Sequence, residues 1–233
     1  MLNLKNTFTK AIFVFVAISN FAYASDTKFY LGLDASLQDL NLNTSDNNNI
    51  GIKAKDYYKN NSINPSIFAG VDVLDFLKIE ASYTQSSTTQ KNNPNIEFTI
   101  DDDTIETWDQ TNYQIKTKTI ALDFKPYVKI SDNFLAFAIV GASYNKININ
   151  EKDHITESTI DGDYSIETKT KGSATKLAPS VGLGLEYFVL PNLALRTQAK
   201  YTHLNVKTNR NDDFVLGKIQ GMTHVNVGAA YYF

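Results

Sequence analysis

Eight stretches of the chain alternate apolar and polar residues with a period of two, and almost none carries the 3.6-residue period of a helix, so the pattern predicts strands. The first, FYLGLDASL, places Phe29, Leu31, Leu33, Ala35 and Leu37 on one face and Tyr30, Gly32, Asp34 and Ser36 on the other. The next three run from Ser66 to Val73, through FLKIEASYTQ from Phe76, and through KTIALDFKPYV from Lys118. LAPSVGLGLEYFV from Leu177, LALRTQAKYT from Leu193 and the closing HVNVGAAYYF from His224 to Phe233 alternate as clearly. FLAFAIVGASY from Phe134 is apolar on both faces near its start, which leaves its register open.

The connections add a second pattern. Three are tight, at VLDF, KISDNF and VLPNL. The other four are long and polar, at about 38–63, 87–113, 147–174 and 206–218, and short and long alternate throughout. That is the arrangement of a membrane barrel with short periplasmic turns and long outer loops. Two of the long connections have strand-like arms of their own, around Asp161-Gly162 and around Asp101 to Asp103, as hairpins would. The chain is therefore expected to be all-β: an eight-stranded antiparallel up-and-down transmembrane β-barrel with four long outer loops and three short periplasmic turns.

A soluble β-sandwich would alternate too, with its charges outside. In lipid the order inverts, because a charge on the lipid face at mid-depth costs about 2–4 kcal/mol. With the apolar faces outward, the interior gathers Asp34, Asp72, Glu80, Asp123 and Glu186 with Lys78, Lys125, Arg196 and Lys200. Five acids against four bases suit a lumen packed with ion pairs, with Gly32, Gly70, Gly182, Gly184 and Gly228 making room. Phe29, Tyr187, Tyr231 and Phe233 fall on apolar faces at strand ends on the short-turn side, where an interfacial aromatic girdle belongs.

The first residues change the picture of where such a barrel resides. Lys5 and Lys10 precede a short apolar run from Ala11 to Ile18 and the small residues Ala22 and Ala24, the layout of a secretory leader cleaved before Ser25. Residues 1–24 are thus expected as signal peptide and 25–233 as one outer-membrane β-barrel domain. Losing the two lysines takes 22 basic residues to 20 against 25 acids, a net charge of about −5 with histidines neutral. That balance argues against a nucleic-acid partner, which needs a basic stripe. The chain has no cysteine, which removes disulfide staples and thiolate metal sites.

The leader, the loop alternation and a last strand with Val225, Val227, Ala229, Tyr231 and a terminal Phe233 together resemble the eight-stranded opacity-type surface proteins. These belong with the transmembrane domain of outer-membrane protein A in a broader group of small barrels. The resemblance implies residence in the cell outer membrane, a monomer surrounded by outer-membrane lipid, and a terminal strand read by the barrel assembly machinery at those five positions. No periplasmic domain is expected after Phe233, so the peptidoglycan-binding role of two-domain relatives is not implied.

Candidate chemistry is thin. His154, His203 and His224 are the three histidines, no pair has metal-ligand spacing, and no G-x-S-x-G elbow occurs. His154 with Asp153, Glu157, Asp161 and Asp163 offers at most a surface acid-base site, for which a solvated loop histidine is the simpler reading. Asp101, Asp102 and Asp103 with Glu106 and Asp109 invite calcium, but their spacing departs from an EF-hand loop and a hydrated hairpin tip accounts for them. No cofactor and no enzymatic activity are expected.

The leading functional expectation is a structural and surface-interaction protein, adhesin- or antigen-like, meeting host or cell-surface ligands through its loops, with Trp108 as candidate contact. A narrow, porin-like channel for ions or small solutes is the alternative, since eight strands leave no wide aqueous bore. An outer-leaflet lipid-modifying enzyme is a third reading.

Overall fold

The structure, a computed structural model, describes residues 28–43, 63–92, 95–100, 103–159, 162–209 and 215–233. The expected leader and its cleavage residues Ala22 and Ala24 lie outside the described residues. Nine strand segments account for nearly all of the rest: β1 Phe29–Asn43, β2 Ile63–Leu74, β3 Leu77–Asn92, β4 Asn95–Ile100, β5 Asp103–Ser131, β6 Phe134–Thr159, β7 Gly162–Leu190, β8 Leu193–Asn209 and β9 Val215–Tyr232. Every pairing between them is antiparallel.

Nine segments make an eight-stranded barrel because β4 continues β3. Asn92 of β3 faces Thr111 of β5, and Asn95 of β4 faces Trp108 of the same strand, so the two segments hold one register against β5. Neighbours in the chain are neighbours in the wall, and β1 pairs with β9 to close it. Closure is obligatory in lipid, where an open edge would leave a row of backbone donors and acceptors with nothing to bond.

Asp75-Phe76, Asp132-Asn133 and Pro191-Asn192 make the three tight turns. At the other end the strands overrun the membrane. About ten residues suffice to cross it as a tilted strand, whereas β5 and β7 have 29 residues each and β6 has 26. The long connections at 87–113 and 147–174 are therefore not loops but hairpin arms, paired up to Ile100↔Asp103 and Thr159↔Gly162. The physical reason is their run of Thr, Ile and Tyr in alternation, which favours pleated pairing over coil. Of the other two connections, β1 extends to Asn43 and β8 to Asn209 before the chain leaves the described residues.

Burial settles which face meets lipid. Leu33 is 65 % exposed, Leu183 67 % and Val227 60 %, as are their outward neighbours all round the wall, while Glu80, Asp123 and Lys125 inside are each 1 % exposed. A soluble sandwich inverts this order, and soluble monomers rarely expose a contiguous apolar surface of that extent. The register of the fifth predicted strand is also fixed: Leu135, Phe137, Ile139, Ser143 and Asn145 face inward, and Ala138, Val140 and Tyr144 outward.

The lipid-facing assignment predicts that Leu183→Lys, near mid-strand, costs about 2–4 kcal/mol of folding free energy in vesicles, measured by urea titration; an exposed leucine on a soluble protein would give a change near zero.

Candidate functional site

The lumen is layered. Nearest the short turns lies an aromatic and aliphatic layer of Tyr30, Phe68, Tyr127, Leu135, Phe137 and Tyr232, with Phe188 packed against it. Toward the outer end lies a second apolar layer, built around Ile115, Ile147, Leu204, Ile219 and Met222. Sequence reasoning expected ion pairs and small residues throughout the interior, so both apolar layers correct it. An eight-stranded barrel encloses a volume that side chains must fill, and charges alone cannot fill it without leaving some unpaired.

Between the two layers sits the charge network. Arg196 of β8 is its hub, donating from Nε to Asp34 Oδ1 at 2.9 Å, from Nη2 to Asp34 Oδ2 at 2.5 Å and from Nη1 to Glu80 Oε2 at 2.6 Å. Glu80 also accepts from Lys125 Nζ at 2.6 Å and from the Tyr30 hydroxyl at 3.1 Å, and Lys125 donates in addition to Gln198 Oε1 at 3.0 Å. The guanidinium carbon of Arg196 lies 3.1 Å from the Phe68 ring centroid, so the flat cation is stacked as well as paired.

A second group lies toward the turn end. Lys78 Nζ donates to Glu186 Oε2 at 3.0 Å and to the Tyr232 hydroxyl at 2.5 Å, and that hydroxyl in turn donates to Glu186 Oε1. The same ammonium stands within 6.0 Å of the ring centroids of Tyr30, Tyr127, Phe188 and Tyr232. Asp72 is at 4.0 Å from Lys78, at the edge of an ion pair. A third pair, Lys200 Nζ to Asp123 Oδ2 at 2.9 Å, sits toward the outer side, with Ser180 Oγ 3.4 Å from the other Asp123 oxygen. All nine sequence-selected lumen residues thus meet inside the barrel: four bases, each with a carboxylate partner, and Asp72 the most loosely held.

Local sequence explains why these long reaches are possible. Arg196 faces Gly228, and Gly228 faces Asp34, so the bidentate pair spans a strand that offers no side chain in between. A Cβ at Gly228 would strike Asp34 Oδ1 and the Leu33 carbonyl. Gly141 plays the same part between Asp123 and Ser180, and a Cβ there would strike Asp123 Oδ1. Gly141 carried no signal in the sequence, because the register of its strand was open.

A cavity of about 840 Å³ opens at the short-turn mouth, lined among others by Lys28, Asp72, Lys129, Phe188 and Tyr232, with Lys78 at its floor. At the far end, His203 is exposed on β8, and His224 is buried on β9 with Nδ1 3.4 Å from Ser36 Oγ. His154 and Trp108 are placed on β6 and β5, where Trp108 faces Asn95 and Thr156. Their side chains, those of the acids around His154 and the Asp101 to Asp109 cluster fall outside what is described. Among the described residues no group of three or more His, Cys, Asp or Glu has metal-binding geometry.

The five positions selected on the last strand all face outward. Val225, Val227, Tyr231 and Phe233 are exposed, Ala229 is half-buried, and the Tyr231 and Phe233 rings meet edge to face at 5.1 Å. The Phe233 amide donates to the Phe29 carbonyl at 2.9 Å, so the pairing with β1 reaches the last residue.

This architecture defines a small outer-membrane barrel, and residues 8–233 match the family model for the outer membrane protein beta-barrel domain. The chain belongs to that family and resides in the outer membrane. Solved structures similar to it include the attachment invasion locus protein Ail of Yersinia pestis, at 15% identity over 89% of this chain and 97% of that one, with a TM-score of 0.45. A major outer membrane protein of Thermus thermophilus follows at 13% identity, 90% and 100% coverage and a TM-score of 0.47. Neisserial surface protein A is similar at 13% identity, 90% and 98% coverage and a TM-score of 0.37. No curated protein sequence matches the chain.

The network makes Glu80 the shared anion of Arg196 and Lys125, so Glu80→Gln should destabilise the barrel by about 3–5 kcal/mol, by leaving buried Lys125 without a carboxylate and Arg196 with Asp34 alone. Urea unfolding in vesicles measures it, and adding Lys125→Met should recover part of the loss. A Glu80→Gln variant as stable as the parent contradicts the network's role.

Proposed function

We propose that this outer-membrane barrel is a structural scaffold that holds a hairpin face outside the cell for contact with other surfaces, in the manner of an adhesin or surface antigen. The observation that carries the reading is the continuous pairing of β4, β5, β6 and β7 beyond the membrane. Six residues of β4 pair with β5, and β5, β6 and β7 stay in register as far as Glu106↔Ser158 and Thr159↔Gly162. A four-stranded projection of this kind loses less entropy on binding than free loops do, because it is already ordered. Its partners in this reading are host or neighbouring-cell molecules, engaged by a monomer without cofactor or catalysis, and Trp108 stays a candidate contact.

The layering of the lumen supports scaffold over passage. The buried apolar cluster around Ile147, Leu204, Ile219 and Met222 fills the lumen on the outer side of the charge network, away from the cavity at the short-turn mouth, which favours a packed interior over a passage. Planar-bilayer recordings on the purified barrel should accordingly show no conductance steps; regular steps that change with Arg196→Ala would favour the narrow channel instead.

The outward face of β9 serves, in the same proposal, as the strand that the barrel assembly machinery receives, with Val225, Val227, Ala229, Tyr231 and Phe233 presented together. Phe233→Asp should lower the amount of heat-modifiable barrel in the outer membrane severalfold, and normal surface levels would count against that role. For the contact face, deleting residues 96–107 and 152–169 shortens both hairpins in register. Adhesion of expressing cells to host-cell monolayers should be lost while heat-modifiable migration persists; undiminished adhesion sinks the proposal.

A further inference from the structure

Above the apolar belt, one side of the barrel carries cations with no anions among them. Ile120, Tyr144 and Leu177 stand side by side on β5, β6 and β7 and form the top row of the belt there. One outward position higher, about 7 Å along the strand, Lys118 of β5 stands directly opposite Lys146 of β6, and Lys116 is the next outward residue on β5. Lys152, Lys169 and Lys171 follow farther out on β6 and β7, and all six are exposed. The outward positions of these strands from Asn112 to Ile120, Tyr144 to Lys152 and Lys169 to Leu177 otherwise hold Asn, Gln, Ser, Thr and those three belt residues, and no carboxylate. Lys169 has Glu167 at 2.9 Å. Lys116, Lys118 and Lys146 have no acid beside them on this face.

Two like charges directly opposite on adjacent strands repel and destabilise a sheet, and the chain as a whole is acidic, at −3. The accumulation is therefore local. In the first two outward rows above the belt it is also uneven: β1 carries Leu37 and Asp39, β3 carries Gln85 and Ser87, and β8 carries His203 and Asn205. Lys207 stands opposite Lys218 farther out on β8 and β9, so it is the three lysines beside the belt, around one cross-strand pair, that form a site.

We propose that Lys116, Lys118 and Lys146 bind the phosphate groups of an anionic lipid of the outer leaflet. Height selects lipid over a soluble polyanion: Lys118 and Lys146 leave the wall sideways one row above residues that face hydrocarbon, and Lys116 one row farther out, where headgroup phosphates lie and where lysine stems run along apolar surface with the ammonium in the interface. A phosphate between Lys118 and Lys146 turns their repulsion into two charge-assisted bonds.

The test uses the full barrel in nanodiscs of phosphatidylcholine with dioleoyl phosphatidic acid as probe, followed by detergent exchange and native mass spectrometry of the lipids carried along. The parent should retain phosphatidic acid over phosphatidylcholine. The preference should fall about fivefold for each lysine changed to Gln, persist in Lys116→Arg/Lys118→Arg/Lys146→Arg, and collapse in 1 M NaCl. Heat-modifiable migration checks that each variant is folded, and the salt series on the parent stands even if the triple Gln variant is not. Equal retention of the two lipids, retention indifferent to the lysines, or retention indifferent to salt overturns the proposal. So does lysine-dependent binding of heparin without retention of phosphatidic acid, which would give the face to an external polyanion.

Discussion

Arg196 holds two carboxylates, Asp34 on one side and Glu80 on the other, inside a wall whose outer surface faces hydrocarbon. Removing charges of this kind from water costs several kcal/mol each unless geometry and hydrogen bonds are close to ideal. The bidentate fork, the shared Glu80 with Lys125 and the stacked Phe68 ring meet that condition together. They in turn demand empty space on the strand between, which Gly228 supplies, and a fixed register, because a slip of one residue would turn the whole set outward into lipid. The network and the closed barrel therefore require each other: the cluster is tolerable only inside a closed wall, and the wall encloses a polar interior because its other face is spent on lipid.

Much of this was legible along the chain. Alternation from Phe29 to Leu37 and from Leu177 to Tyr187 dictates which residues share a face, and the tight turns at Asp75-Phe76 and Pro191-Asn192 dictate which strands are neighbours. Knowing only that Asp34, Glu80 and Arg196 share the interior, charge balance already requires them to pair. The partner of each was not legible, because Asp34 and Arg196 lie 162 residues apart and meet only through β9. The fifth strand was ambiguous for a physical reason. Leu135, Phe137 and Ile139 fill the lumen beneath the charges while Val140 and Tyr144 face lipid, so both faces are apolar and alternation vanishes. The hairpin arms within 87–113 and 147–174 were legible from their alternating flanks around Asp161 and Asp101, whereas how far β5, β6 and β7 stay paired beyond the membrane was not, because it depends on partners on other strands.

The same division of labour bears on function. A lumen packed with an aromatic layer, a charge layer and an aliphatic layer is the support that a long projection needs beneath it. The projecting strands are stapled to that support by unbroken ladders, and the lysine row lies where support and projection meet. Three surfaces thus follow one another up the same strands of the barrel, apolar for lipid chains, cationic for headgroups and mixed polar beyond.

The absence of cysteine makes site-directed spin labelling the most direct examination of the inverted wall. Single cysteines at Val181, Leu183 and Leu185, alternating with Ser180 on β7, carry the label in vesicles with oxygen and an aqueous nickel chelate as relaxants. The outward positions should be relaxed strongly by oxygen and hardly by nickel, with Ser180 shielded from both. Strong nickel relaxation at Val181, Leu183 and Leu185 would mean that the apolar face meets water, and the account of a barrel built around a buried charge network would fail.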